Sequence, residues 1–383
     1  MVLTLAVSGI EALKWVGYFI VALLCLMLMI MLHELGHYTF GKIFKFKINE
    51  FAIGFGPKIF SKKNKKTGEV FSVRAIPLGG FCAFAGEDEE GESNYDFNKR
   101  PVWQRIIVLF AGAGFNFLSA FIVITIFFSA YGEYFPVVGN AYQHVEYVDG
   151  EKYTVLEGSQ QLQAGDVILS INGKNCYSLL EYNRLSSLIS GEGDSLTVVV
   201  LRDGEKLTLN VTKQYYVTNT GDAENKEDGG EANTQVSATK GLGISMGAYS
   251  VQKLSAGQAF THGATFGYDV LRVTVNSIKQ LFAGTVSVGE SMGGTATAIF
   301  SLAQLVQAGI PAIIYGFCIL STSIGIMNVL PLPALDGSRI IFAIVEAIRK
   351  KPLNRQIEGT IHFVGLIVLF ALAIILDLVH FFG

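Results

Sequence analysis

Four stretches of this chain carry no charged side chain, and they limit its possible folds more than any other feature. They run from Trp15 to Leu32, Ile106 to Gly132, Ser291 to Leu335 and Phe363 to Leu376, with lengths of 18, 27, 45 and 14 residues. Beyond the last, apolar residues continue past Asp377 to Phe382. A helix needs about 20 apolar residues to cross a bilayer. The first three stretches meet that length, and the fourth reaches it only with its apolar continuation. Half of the 383 residues are hydrophobic and 16% are charged, against about a quarter charged in soluble domains. Buried helices of a large soluble protein do not explain stretches of this length. Lys14 precedes the first stretch, as in a signal peptide, but no small-residue cleavage site follows, so the segment is expected to be retained. The cysteines Cys25, Cys82, Cys176 and Cys318 form no CxxC, which argues against a disulfide framework or a cysteine metal site.

Basic residues set the expected orientation. Residues 41–105 hold twelve Lys/Arg, including Lys62, Lys63, Lys65 and Lys66, and residues 338–361 hold five against two acids. Residues 132–260 hold nine Lys/Arg against sixteen Asp/Glu. The first two segments are therefore expected on the cytoplasmic side and the central one outside. The expected order is a first transmembrane helix at 1–40, a membrane-associated β segment at 41–102 and a second transmembrane helix at 103–132. A soluble domain follows at 137–216, a flexible acidic loop at 217–240 and an amphipathic membrane-surface segment at 241–297. A third transmembrane segment at 298–337, a cytoplasmic helix at 338–360 and a fourth transmembrane helix at 361–383 complete it. Within the β segment, Gly54 and Gly56-Pro57 are expected to break the first strand, and Val70 to Ile76 to form a second.

The chemistry concentrates in His33-Glu34-Leu35-Gly36-His37, at the cytoplasmic end of the first uncharged stretch. Histidines at i and i+4 share a helix face and reach one Zn²⁺. Glu34 beside that face is suited to take a proton from the attacking water and pass it to a leaving amine. Ionisable residues at the end of a span are costly and usually functional. A hydrolytic zinc site needs a third protein ligand. His144, His262, His362 and His380 lie in the soluble domain or outside the cytoplasmic half, which leaves Asp336 at the end of the 45-residue stretch. Pro331 and Pro333 break the helix before it, and Gly337 permits a turn that aims the carboxylate inward. An aspartate there also suits the cap of a helix from Ser338 to Arg349.

These motifs resemble the site-2 protease family, zinc intramembrane proteases that cleave membrane-embedded helices. The family's HExxH matches His33 to His37. Its second signature, an Asn-x-x-Pro followed by Leu-Asp-Gly, matches Asn328, Pro331, Leu335, Asp336 and Gly337. The resemblance implies that Asp336 is the third zinc ligand and that Asn328, with Pro331, contributes to substrate binding. A GxxxN in the second span, Gly112 to Asn116, is associated in the family with substrate accommodation, though Gly112 also suits close helix packing. Phe51 to Pro57 and Ile76 to Phe81 resemble the bacterial branch, most of all its single-PDZ, anti-sigma-factor-cleaving members. Ser291 to Gly294 departs from relatives that have Gly-Pro there.

In the soluble domain, Ala164-Gly165-Asp166-Val167-Ile168-Leu169-Ser170-Ile171-Asn172-Gly173 resembles a PDZ segment. Ile168 and Ile171 are expected to pack inward before an Asn-Gly turn, with a groove helix at Leu179 to Ile189 and a hairpin across Asp203-Gly204. The groove would take a peptide or chain terminus, or act as a size filter. The expected fold is thus a polytopic α-helical membrane protein with four transmembrane helices, a membrane-associated β sheet and one extracytoplasmic PDZ-like α+β domain. The expected function is zinc-dependent hydrolysis of single-span membrane proteins in the bilayer, with anti-sigma factors or signal-peptide remnants as substrates. Residues 46–86 are placed to offer an edge strand to an unwound substrate. The alternative is a catalytically inactive PDZ-type membrane scaffold. No nucleic-acid partner is expected.

Overall fold

The computed structural model describes residues 9–87, 93–142, 144–148, 152–155, 161–176, 195–219, 237–283, 294–351 and 353–382. The expected groove helix at Leu179 to Ile189, most of the acidic loop and Ser291 to Gly293 lie outside them. The chain divides into two compact units, Met1–Ile126 with Gly263–Gly383, and Phe127–His262.

The first unit is largely helical. α1 spans Gly9–Ile43 and leads into strands β1 (Ile48–Lys63) and β2 (Val70–Phe84), followed by α2 (Val102–Ala130). α3 (Ala256–Phe282) begins at the end of the second unit and runs into the first; α4 (Thr295–Ala308), α5 (Ile310–Val329), α6 (Asp336–Arg349) and α7 (Arg355–Phe382) complete it. Among the described residues, α1, α2, α5 and α7 are long and apolar enough to cross a membrane.

Two boundaries differ from expectation. The third uncharged stretch is not one span but α4 and α5, divided at Gly309 with φ +107°. Pro311, in the first turn of α5, cannot continue a preceding helix, and no charge marks the break. With 14 residues α4 is about 21 Å long, too short to cross. The fourth span begins at Arg355 rather than at residue 361. Its polar first turn is held by an ion network: Glu346 of α6 accepts from Arg105 of α2 and from Arg355, each at 2.5 Å, and from the Leu353 amide at 3.0 Å.

The β segment is more than a hairpin. Ile48–Ile53 lies between Val70–Val73 on one side and Gly80–Phe84 on the other, and Val70–Val73 pairs in turn with Phe60–Lys63. Gly54 and Gly56 do not end β1 as expected. At φ +84° and +81° they bend it, and a Cβ at Gly54 would lie 2.6 Å from the Ile76 carbonyl oxygen. As a result Val70–Val73 is flanked on both sides, and Gly80–Phe84 forms an outer edge.

In the second unit the strands are β3 (Glu133–Ala141), β4 (His144–Val148), β5 (Lys152–Val155), β6 (Val167–Ile171), β7 (Lys174–Asn175), β8 (Ser195–Arg202), β9 (Glu205–Thr212), β10 (Gln214–Asn219), β11 (Ser237–Gly241) and β12 (Ile244–Gln252). One sheet has the order β12-β3-β6-β8-β9, with β7 on β6; another has β11-β10-β4-β5. Ile168 and Ile171 are fully buried with Val198 and Val200. Asn172-Gly173 and Asp203-Gly204 both have positive φ at both residues, the signature of the two-residue turn that matches strand twist. Asp166 accepts two hydrogen bonds at 2.7 Å from Arg202, tying the Ala164-Gly165-Asp166 turn to β8. β12 falls in the segment expected at the membrane surface. It pairs instead with β3, where Gly139 and Gly247 allow the two backbones to approach.

Candidate metal centre

The helical spacing of His33 and His37 stacks their rings edge to face, with centroids 4.8 Å apart. Asp336 arrives from the start of α6. Its Oδ2 lies 3.0 Å from His33 Nε2 and 3.2 Å from His37 Nε2, while the two Nε2 atoms are 3.1 Å apart. Three features of the connector deliver it. α5 stops at Val329, a short turn at 330–335 follows, and Gly337 packs against the end of α5, where a Cβ would lie 2.2 Å from the Leu330 carbonyl oxygen. Leu335, not Asp336, occupies the cap position of α6, and the Asp336 carboxylate turns to the histidines.

Other contacts orient the two rings. His37 Nδ1–H donates to the Val108 carbonyl at 2.8 Å, which leaves Nε2 with its lone pair toward Asp336 and His33. Asn116 lies 3.5 Å from His33 Nδ1, and its Oδ1 is buried without a hydrogen bond. Rotating that amide by half a turn gives the oxygen the Nδ1–H and frees His33 Nε2 in the same way. Gly112 makes room for both rings, since a Cβ there would stand 2.4 Å from His37 Nε2 and 2.7 Å from His33 Cε1. Gly112 and Asn116, on one face of α2, are thus gathered at the histidine pair.

Glu34 and Asn328 line the same cavity of about 840 Å³ as His33, His37 and Asp336, together with the Gly79–Phe84 edge of β2. Asn328 donates to the Ile324 carbonyl of its own helix at 3.0 Å. Pro331 is exposed in the connector and is not among the cavity-lining residues. His362, expected away from the histidine pair, lines the cavity with it, as do Glu87 and Arg339, which pair with each other. The early start of α7 places His362 there. The only sequence signal was a histidine immediately before an apolar stretch. Val108 acts through its carbonyl and left no side-chain signal.

A tetrahedral zinc ion with ligands at 2.0–2.2 Å sets them roughly 3.3 to 3.6 Å apart. The 3.0–3.2 Å spacing of these two imidazoles and one carboxylate comes within about half an ångström of that range, and the donor set is one zinc accepts. Apolar spanning helices around such a cluster define a multi-pass membrane protein with a zinc site. A family model, "Peptidase family M50", matches residues 21–372, so the chain belongs to that family. A Fusobacterium nucleatum protein provisionally named a zinc metalloprotease is 33% identical, the match covering 92% of this chain and 94% of that one. The "Regulator of sigma-W protease RasP" of Bacillus subtilis and the "Zinc metalloprotease RasP" of Bacillus licheniformis are each 26% identical, over 91% of this chain and 94% of theirs. The protein is a zinc metalloendopeptidase of the cell membrane and belongs with the site-2 type.

Proposed function

We propose that the enzyme hydrolyses peptide bonds within or near the transmembrane segments of single-span membrane proteins. The observation that carries this is the meeting of His33, His37 and Asp336 beside Glu34 in one cavity among spanning helices. His33, His37 and Asp336 hold the zinc, which supplies Lewis acidity toward the scissile carbonyl and the attacking water. Glu34 takes the water's proton and delivers it to the leaving amine. Asn328 orients the substrate backbone; Asn116, buried against His33 Nδ1, and Gly112, packed against both rings, act through the histidines rather than on the substrate, and Pro331 shapes the connector that carries Asp336.

A helix in lipid hides its peptide bonds within its own hydrogen bonds, so the substrate must be unwound and held extended. The Gly80–Phe84 edge, which lines the cavity beside Glu34, is suited to take up that backbone by strand addition. The basic residues of 41–105 support a cytoplasmic position for this edge and the active site, with the central unit outside. Its buried Ile168 and Ile171 and its two tight turns support a PDZ-like reading, which gives it a peptide, a chain terminus or substrate size to select. The Bacillus subtilis relative is named a regulator of sigma-W protease, in keeping with substrates that control a sigma factor, and we take anti-sigma factors as the substrate class; signal-peptide remnants suit the same site.

The test is cleavage of a reconstituted single-span substrate by the parent enzyme and Glu34→Gln, with zinc measured in both. The reading requires zinc in each and cleavage only by the parent. Equal cleavage by Glu34→Gln would overturn it.

A further inference from the structure

We propose that His362 and Gly365, one turn apart on α7, are positioning residues for the third metal ligand, holding the Pro333–Ala334 backbone so that Asp336 meets His33 and His37. His362 Nδ1 accepts the Ala334 amide proton at 3.2 Å. One turn on, Gly365 lies against the same loop, where a Cβ would stand 2.2 Å from Pro333 Cβ and 2.9 Å from its carbonyl carbon. Ala334 has φ +72°, a left-handed conformation that a residue with a side chain keeps only when its surroundings impose it.

The surroundings here come from α6 and α7. The His362 ring meets Phe342 of α6 edge to face, with centroids 5.7 Å apart, so it is held from the element whose first residue is Asp336. Inside the connector the Leu335 amide donates to the Leu332 carbonyl at 3.1 Å, and Ser338 Oγ donates to the Leu335 carbonyl at 2.7 Å. The Ala334 N–H faces outward from that turn and takes its acceptor from α7. Without that acceptor the amide loses the hydrogen bond that ties the left-handed Ala334 turn to α7. Asp336 follows two residues later, so a rotation at Ala334 swings the carboxylate away from the imidazoles. The fourth span thereby acts on the metal site without contributing a ligand.

This inference rests on Asp336 being a metal ligand. The test measures zinc dissociation constants of full-length purified protein by chelator competition, with thermal transitions of the zinc-stripped forms alongside. His362→Phe keeps the ring and its contact with Phe342 but removes the acceptor. Gly365→Ala presses a methyl group onto Pro333. Both should weaken zinc binding roughly tenfold to a hundredfold, the usual cost of losing an outer-shell partner. His362→Asn, which returns an acceptor atom near the Nδ1 position, should stay within about threefold of the parent. Val364→Ala, on the exposed face between the two, serves as the unchanged control. Parental zinc affinity in both His362→Phe and Gly365→Ala, or equal loss in His362→Asn and His362→Phe, overturns the proposal. Asp336→Ala is measured beside them. If it too binds zinc as the parent does, the ligand assignment itself is wrong, an outcome distinct from failure of the positioning role.

Discussion

Asp377 of α7 caps α4 through Thr297. Its Oδ1 accepts the Thr297 amide at 2.9 Å and the Thr297 hydroxyl at 2.8 Å, while Oδ2 accepts the Ala296 amide at 3.0 Å. The cap position of α4 is Gly294, which has no side chain to supply these bonds, so a neighbouring helix supplies them. The one acid within the last apolar stretch is thus a structural part of the short helix beside it.

Removing that cap should cost about 1 to 2 kcal/mol of stability, the upper part of the usual range because a charged group meets a helix N-terminus. Asp377→Ala and Thr297→Val, measured by denaturant unfolding in detergent, should each destabilise. The double variant should lose less than the sum of the two.

Glu34 lines the cavity beside the His33, His37 and Asp336 cluster without joining it. Glu34→Gln should therefore retain zinc while cleavage falls by roughly 10² to 10⁴, the usual contribution of a positioned general base. Chelation of the parent should abolish cleavage, and added zinc should restore it. Loss of zinc from Glu34→Gln would contradict this division of roles.

An edge strand binds a partner through its backbone donors. Proline at Cys82 removes the cavity-side amide of the Gly80–Phe84 edge, the one that meets the Glu34 carboxylate. Cleavage of the single-span substrate should drop at least tenfold, with zinc content unchanged. Proline at Ser72, which lies in the flanked segment, should instead unfold the sheet and show as lost protein, read by limited proteolysis.

The Glu346 carboxylate joins α2, α6 and α7. Burial would raise its pKa, but the Leu353 amide and the guanidinium groups of Arg105 and Arg355 outweigh that and lower it from 4.5. A carboxyl group lowered in the folded state contributes stability that is fully present above its unfolded value, near pH 4.5, and is lost as pH falls through the folded value. Glu346→Gln should flatten the stability profile below pH 4.5. At neutral pH it should cost about 3 kcal/mol or more, because Arg105 is left buried without its partner. Unfolding midpoints between pH 3 and 7, on the order of one measurement per pH unit, decide it.

The spans and the histidine pair were legible because both depend on local pattern: uncharged length for one, an i, i+4 spacing for the other. The turns at Asn172-Gly173 and Asp203-Gly204 were legible for the same reason. What was not legible depends on contacts between distant segments. Gly309 divides an apolar stretch that looks continuous, and only the adjacent Pro311 hints at it. Val70 to Ile76 reads as the second strand of a simple hairpin until Ile48–Ile53 and Phe60–Lys63 are seen to flank Val70–Val73 on both sides. β12 has too many small residues to announce a strand, and its partner β3 lies more than a hundred residues earlier. Sequence position alone puts His362 outside the cytoplasmic half, and only the packing of α7 against the connector brings it to the cavity.

The two histidines and Asp336 are separated by about three hundred residues of chain. During synthesis the helix bearing the histidines enters the bilayer long before Asp336 is made, and the Ala334 turn gains its α7 partner later still. Through most of its own biogenesis the protease thus has two imidazoles and a glutamate but no assembled centre. A chain interrupted before Asp336 carries the histidine pair and Glu34 without the carboxylate that completes the cluster, so the order of elements makes assembly of the site wait for the segment that follows α5.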